Sequence, residues 1–156
     1  MFDTILLAAA LQQWERYSAY ALAARDVAGA LARQAKQLHV LSVYEYEQLR
    51  IPTPSLGAEV AAKLREQEIE RTDTLVRQRL DAYVAPLVAQ GLPVATILRL
   101  GNARHVIVEV ATEIEADLVV IGSHSKRGLI DIPIGGTARH VSTHASCAVL
   151  MVAPKK

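Results

Sequence analysis

Aromatic side chains are scarce in this 156-residue chain: one Trp, one Phe and five Tyr make up 4% of it. Hydrophobic residues nevertheless reach 51%, so aliphatic packing and alanine-rich helix contacts must build the core. A single cysteine, Cys147, excludes an internal disulfide and points to a reducing compartment. Neither sign of charge dominates. Seventeen Lys and Arg against sixteen Asp and Glu leave a formal net charge of +1, which gives no general pull toward nucleic acid or an anionic membrane. The apolar run at 5–11 is too short to span a bilayer, and no basic stretch precedes it as in a signal peptide. These absences lead us to expect a soluble, cytoplasmic protein with no nucleic-acid partner and no membrane insertion. The length suits one domain, 1–156, with a real core.

Motifs that would name an enzyme are missing as well. There is no G-x-G-x-x-G, and Gly122 to Gly128 is not followed by the Lys-Ser or Lys-Thr of a Walker A loop. Ser123 and Ser125 have no nameable His–Asp relay, and no G-x-S-x-G elbow presents them. His140 and His144 stand four apart, on one face of a helix. Without a Glu beside the first His and without a third ligand, no metal site is expected. Cys147 adjoins an apolar run and reads as an inert thiol. His39 and Ser42 read as polar interruptions of a strand, His124 as a loop residue, and His105 has no partner to name. The mixed charges from Lys63 to Arg79 read as a solvated helix face.

What is present is an alternation. Apolar, strand-like runs at 4–10, 38–44, 92–100, 118–121 and 148–152 are separated by helical patterns. The first helix is expected over 15–36, with Ala21, Leu22, Ala24, Val27, Ala28, Leu31, Ala32 and Ala35 recurring at helical spacing and the small residues among them allowing close packing on a sheet. A loop holding Pro52 and Pro54 precedes a long charged helix over 57–90. That helix should stop at Gly91 and be kinked or divided at Pro86. A third helix over 103–114 has Asn102 as N-cap, and a short one opens at Gly136. The β-α-β-α-β-α-β-α-β order implies an α/β fold: a three-layer α/β/α sandwich around a five-stranded parallel sheet with right-handed crossovers.

The last third carries the chemistry. The strand at 118–121 runs into Gly122-Ser123-His124-Ser125, then nine further residues, then Gly135-Gly136-Thr137 at a helix start. Glycines there let backbone N–H groups approach a ligand, and the positive end of the helix favours phosphate. Lys126 and Arg127, in the spacer, could screen such a charge, although exposed basic residues are usually just solvated.

This stretch resembles the signature of the universal stress proteins, G-x2-G-x9-G-[ST]. The ending from His144 to Val152 is similar to the family's H-A-P-C-P-V-L-V-V. Ser125 replaces the second glycine and Gly136 the Ser or Thr. The resemblance implies strand order 3-2-1-4-5, a homodimer joined antiparallel through 148–152 with Val149 and Met151 at the interface, and an adenine nucleotide (ATP, ADP or AMP). Its holders would be Gly122, Ser125, Gly135, Gly136 and Thr137 for phosphates and ribose, and Val43 for adenosine. An aspartate closing strand one also contacts the adenosine in such relatives. Aligned from the strand, that position is Ala10; aligned from Ser18-Ala19-Tyr20-Ala21-Leu22 in the helix, it is Gln13. Neither is acidic, which removes a charge-assisted bond of roughly 1.5–3 kcal/mol. Trp14, in the same loop, could stack on a base but more commonly such a residue packs on its helix. Two readings stay open: a non-enzymatic stress-response and signalling module carrying a nucleotide in a degenerate pocket, or the same fold with an empty pocket acting on a regulatory protein partner. Slow ATP hydrolysis has least support, because phosphoryl transfer wants a metal held by an acidic group and no carboxylate is available from Ile5 through Trp14 after strand one.

Overall fold

The computed structural model describes residues 1–11, 17–44, 57–124 and 134–155. Strands β1 (Thr4–Ala8), β2 (Gln37–Tyr44), β3 (Val94–Leu100), β4 (Leu118–Gly122) and β5 (Ala148–Val152) alternate with helices α1 (Ala19–Ala32), α2 (Ala58–Ala89), α3 (Ala103–Glu113) and α4 (Gly136–His144). All pairings are parallel and the sheet order is β3-β2-β1-β4-β5. The alternation read from the sequence is therefore the architecture, a single α/β domain.

Period-two side-chain direction sorts the strands onto two faces. Ile5, Leu7, Leu38, Val40, Leu118 and Val120 meet α1 and α2, while Leu6, Ala8, Leu41, Val119 and Ile121 meet α3 and α4. The first layer is thin because α1 faces it with Ala21, Ala24, Ala28 and Ala32. The two helices of that layer also approach closely: a Cβ at Gly29 would stand 2.8 Å from Leu87 Cδ2. Tyr83 supplies the bulk that alanines cannot. Its ring is buried, its hydroxyl donates to the Ala21 carbonyl at 2.6 Å, and Tyr17 meets it edge-on at 5.3 Å.

Several boundaries differ from expectation for local reasons. Strand β1 stops at Ala8, although Ala9 still donates to the Leu41 carbonyl. Helix α1 starts only after Ser18, whose hydroxyl accepts from the Ala21 amide. Its end dissolves into tight turns, with Gln34 donating to Leu31 and Ala35 to Ala32. Helix α2 runs unbroken through Pro86, which therefore does not divide it. Pro86 and Ala82 both lie on the exposed side, where solvent can take the carbonyl that a proline leaves without its helical donor. The expected stop at Gly91 is realised with φ of +76°. Gly91 donates to Val88 and Leu92 to Leu87, the paired bonds of a Schellman motif. Those bonds delay β3 to Val94. Asn102 caps α3 as expected, accepting from the Arg104 amide at 3.0 Å. The proline-containing loop at 45–56 lies outside the described residues.

At the amino end of the sheet one carboxylate fastens the two central strands. Asp117 Oδ2 accepts from the backbone N–H groups of Thr4 and Asp3, each at 2.9 Å, and the Asp117 amide donates to the Thr4 carbonyl. These backbone bonds, Thr4's first, hold the Asp117 carboxyl below its ordinary pKa. A depressed folded-state pKa stabilises the fold above the unfolded value of about 3.9 and loses that contribution as pH falls through the folded value. Asp117→Asn should thus lower the urea midpoint at pH 7, and the gap to the parent should close on acidification to about pH 2–3. Urea titrations at both pH values check this; an equal gap at both would mean that the charge is not the stabilising feature.

Candidate functional site

Because the strands are parallel and every crossover is helical, each helix begins at the carboxyl edge of the sheet. The strand order reverses between β1 and β4, and the crevice outside their carboxyl ends is the usual ligand position in such sheets. Register sets Ala8 beside Ile121, so β1 leaves the sheet one residue short of the level of Gly122. Helix α4 opens over the same edge.

The glycines of the motif are held by chain packing. A Cβ on Gly122 would lie 3.2 Å from Tyr20 Cβ, where the first turn of α1 crosses the end of β4. A Cβ on Gly135 would lie 3.0 Å from the Ser123 carbonyl oxygen and 3.5 Å from His124 Cα. Gly135 has φ of −67°, so close approach, and not a left-handed backbone, is what requires glycine there. Its N–H is also committed, donating to the Ser123 carbonyl at 2.7 Å. That corrects one expectation: Gly135 does not offer a free amide. The free amides come next. Helix α4 has no side-chain cap, and the N–H groups of Gly136 and Thr137 find no partner among the described residues. They are the orphan donors of a helix start.

The candidate residues divide accordingly. Gly122, Gly135, Gly136 and Thr137 come together where β4 meets α4, and Ala10 lies two residues beyond β1 on the same edge. Val43 lies within β2, buried in the cluster that faces α3 and α4. Its side chain is core, and only its strand-end position relates it to the site. Gln13, Ser125, Trp14, Lys126 and Arg127 lie outside the described residues.

Two neighbours escaped the sequence reading. The Tyr20 ring packs on His124 with centroids 5.0 Å apart, and His124 Nδ1 is 3.2 Å from Ser123 Oγ. Arg104 reaches from α3 to Gly136, where any Cβ would collide with its guanidinium. The available signal was topological: Asn102 was identified as a cap, and a residue in the first turn it caps must lie at the ligand edge. His105 does have a partner. Its ring meets that of His140 edge-on at 5.1 Å, and His140 stacks on His144 at 4.0 Å. Desolvation first, then His144, His105 and Arg104, hold His140 below the usual imidazole pKa. Among the described residues no group of three or more His, Cys, Asp or Glu is arranged to hold a metal ion. Burial raises the Cys147 thiol pKa, which disfavours the reactive thiolate. Burial likewise lowers that of His39, whose Nδ1 is without a hydrogen-bond partner. No described helix is long and apolar enough to cross a membrane.

Known proteins share this fold. Residues 1–153 match the model of the universal stress protein family. A universal stress protein E homolog of Haemophilus influenzae is 44% identical over 61 residues, 39% of this chain and 20% of that protein's length. The fold superposes on universal stress protein UspA from Lactobacillus plantarum with a TM-score of 0.69, 26% identity and 97% of each chain covered. It also matches a family protein from Arabidopsis thaliana solved with AMP bound, at TM-score 0.61 and 15% identity over 98% of this chain and 92% of that one. A family model spanning nearly the whole chain, together with the strand order and the glycine-bounded edge, leads to one conclusion: this chain belongs to the universal stress protein family.

Proposed function

We propose that this protein is a non-enzymatic, cytoplasmic stress-response and signalling module that binds an adenine nucleotide between β1 and β4. The observation that carries the reading is the start of α4. Helices α1 and α3 spend a side chain on capping, Ser18 and Asn102, whereas α2 and α4 both begin on an uncapped glycine; of those two, α4 is the one that follows β4 and opens beside β1, with the Gly136 and Thr137 amides unused. Those amides and the positive end of the helix macrodipole suit a phosphate. Gly122, Gly135 and the backbone of Ser123 shape the approach, Thr137 supplies a hydroxyl, and Ala10 faces the adenosine side. The Arabidopsis relative with AMP bound supports this choice of ligand. A phosphoryl-transfer enzyme would need a metal and a placed base, and among the described residues no group of three or more His, Cys, Asp or Glu is arranged to hold a metal.

A second reading has its own support. Packing against Tyr20 and Ser123 accounts for Gly122 and Gly135 without a ligand, which suits a protein that keeps the fold and acts through its surface on a regulatory partner. Calorimetry separates the two. ATP, ADP or AMP should bind the parent, and Ala10→Asp should tighten binding by roughly 1.5–3 kcal/mol by adding a charge-assisted hydrogen bond to the adenosine. No heat with any nucleotide, in parent or variant, would give the second reading precedence.

Assembly is proposed through β5. It is an edge strand, and its unpaired backbone groups can template another chain. Val149 and Met151 already pack partly against the α3/α4 face, so the most exposed large side chain on the strand is Leu150, at 38%. An isologous pair of β5 strands would cover it. Sedimentation velocity at micromolar concentration should show a dimer for the parent and a monomer for Leu150→Lys, since a charge blunts an open edge. A monomeric parent would refute the assembly.

A further inference from the structure

Arg104 is oddly placed for a residue with only a structural part. It sits in the first turn of α3, where the helix dipole disfavours a cation, and its guanidinium reaches the first turn of α4, where the same holds. Neither first turn contains an acidic residue. Among the described residues the side chain has no hydrogen-bond or carboxylate partner. Three like-signed features, two helix starts and a guanidinium, therefore converge; Asn102 caps the first start, and no acidic side chain among the described residues neutralises the guanidinium or the start of α4. Gly136 makes the arrangement possible. A Cβ there would strike Nη2 and come within 3.3 Å of the guanidinium carbon and 3.7 Å of Nε. A site that breaks a local electrostatic rule without structural gain is a candidate for function.

We propose that Arg104 is the specificity-determining residue that reads the phosphate of the bound nucleotide, reaching from α3 across Gly136 to the free amides of α4. This rests on the nucleotide reading above and deepens it. The planar fork of a guanidinium can pair two phosphate oxygens while the Gly136 and Thr137 amides take others. Arg104 would then make the protein selective for phosphorylated adenine nucleotides over adenosine. His140, one turn into α4, supplies a reporter, because Arg104, after desolvation and the two neighbouring histidines, helps to lower its pKa.

The test is calorimetry of the full chain with ATP, AMP and adenosine, for the parent, Arg104→Gln and Arg104→Lys. Arg104 is exposed and unpartnered, so both variants should keep the parent's circular dichroism and urea midpoint. Arg104→Gln should weaken ATP and AMP by roughly ten- to a hundredfold, the loss of one charge-assisted bond. It should leave adenosine unchanged. Arg104→Lys, which keeps the charge without the fork, should fall between. Followed by NMR, the pKa of His140 should rise in ligand-free Arg104→Gln, and rise in the parent when ATP binds. If the parent binds ATP and Arg104→Gln binds it equally well, this proposal falls and the nucleotide reading stands. A loss shared equally by adenosine also overturns it, as does a variant that unfolds. If the parent binds no nucleotide, both readings fall together.

Discussion

The sheet is parallel throughout, and its two central strands, β1 and β4, are sealed on both faces. That one constraint decides most of the rest. A parallel neighbour can be reached only by crossing over a face, so each strand must be followed by a helix. Every helix then starts at the same edge. Hydrophobic burial thus collects the helix starts, and with them the unpaired backbone donors, on one side of the molecule. The strand order reverses between β1 and β4, the position where sheets of this kind usually hold a ligand, and α4 begins over that edge.

The two faces are filled differently. Small residues on α1 bring that helix close to the sheet and to α2, and Tyr83 bridges the layer with a buried hydroxyl bonded to Ala21. Burial raises the Tyr83 pKa well above the ordinary phenol value, so it stays a neutral donor. On the other face α3 and α4 lean on each other through Ile107, Val110, Ala138 and Val141. Their contact is what sets Arg104 beside Gly136 and His105 beside His140. The proposed site therefore depends on a helix–helix contact as much as on its glycines.

What could be read from the chain was local or periodic. Strand order followed from the family resemblance; the Asn102 cap, the stop at Gly91 and the opening of α4 at Gly136 followed from residue types with known positional preferences. What could not be read depended on contacts between distant segments. Gly135 reads as a ligand glycine in sequence, yet its amide belongs to Ser123 and its missing side chain makes room for that carbonyl. Pro86 reads as a helix breaker, but its effect depends on which side of α2 meets solvent. Arg104 drew no notice in the sequence and His105 had no partner to name, because neither pattern nor spacing reveals what α4 sets against them.

The Asp117 clamp lies at the opposite edge from all of this. One carboxylate there joins the amino ends of β1 and β4, with Lys36 paired to Asp3 alongside at 2.8 Å. Anchoring and the proposed recognition thus fall at opposite edges of the same strands, about five residues of extended chain apart, roughly 16 Å. At that separation substitutions rarely share a partner, and their effects tend to add. Substitutions at the carboxyl edge, where the proposed site lies, can therefore change what that edge contacts while the fastening of the central strands goes on undisturbed.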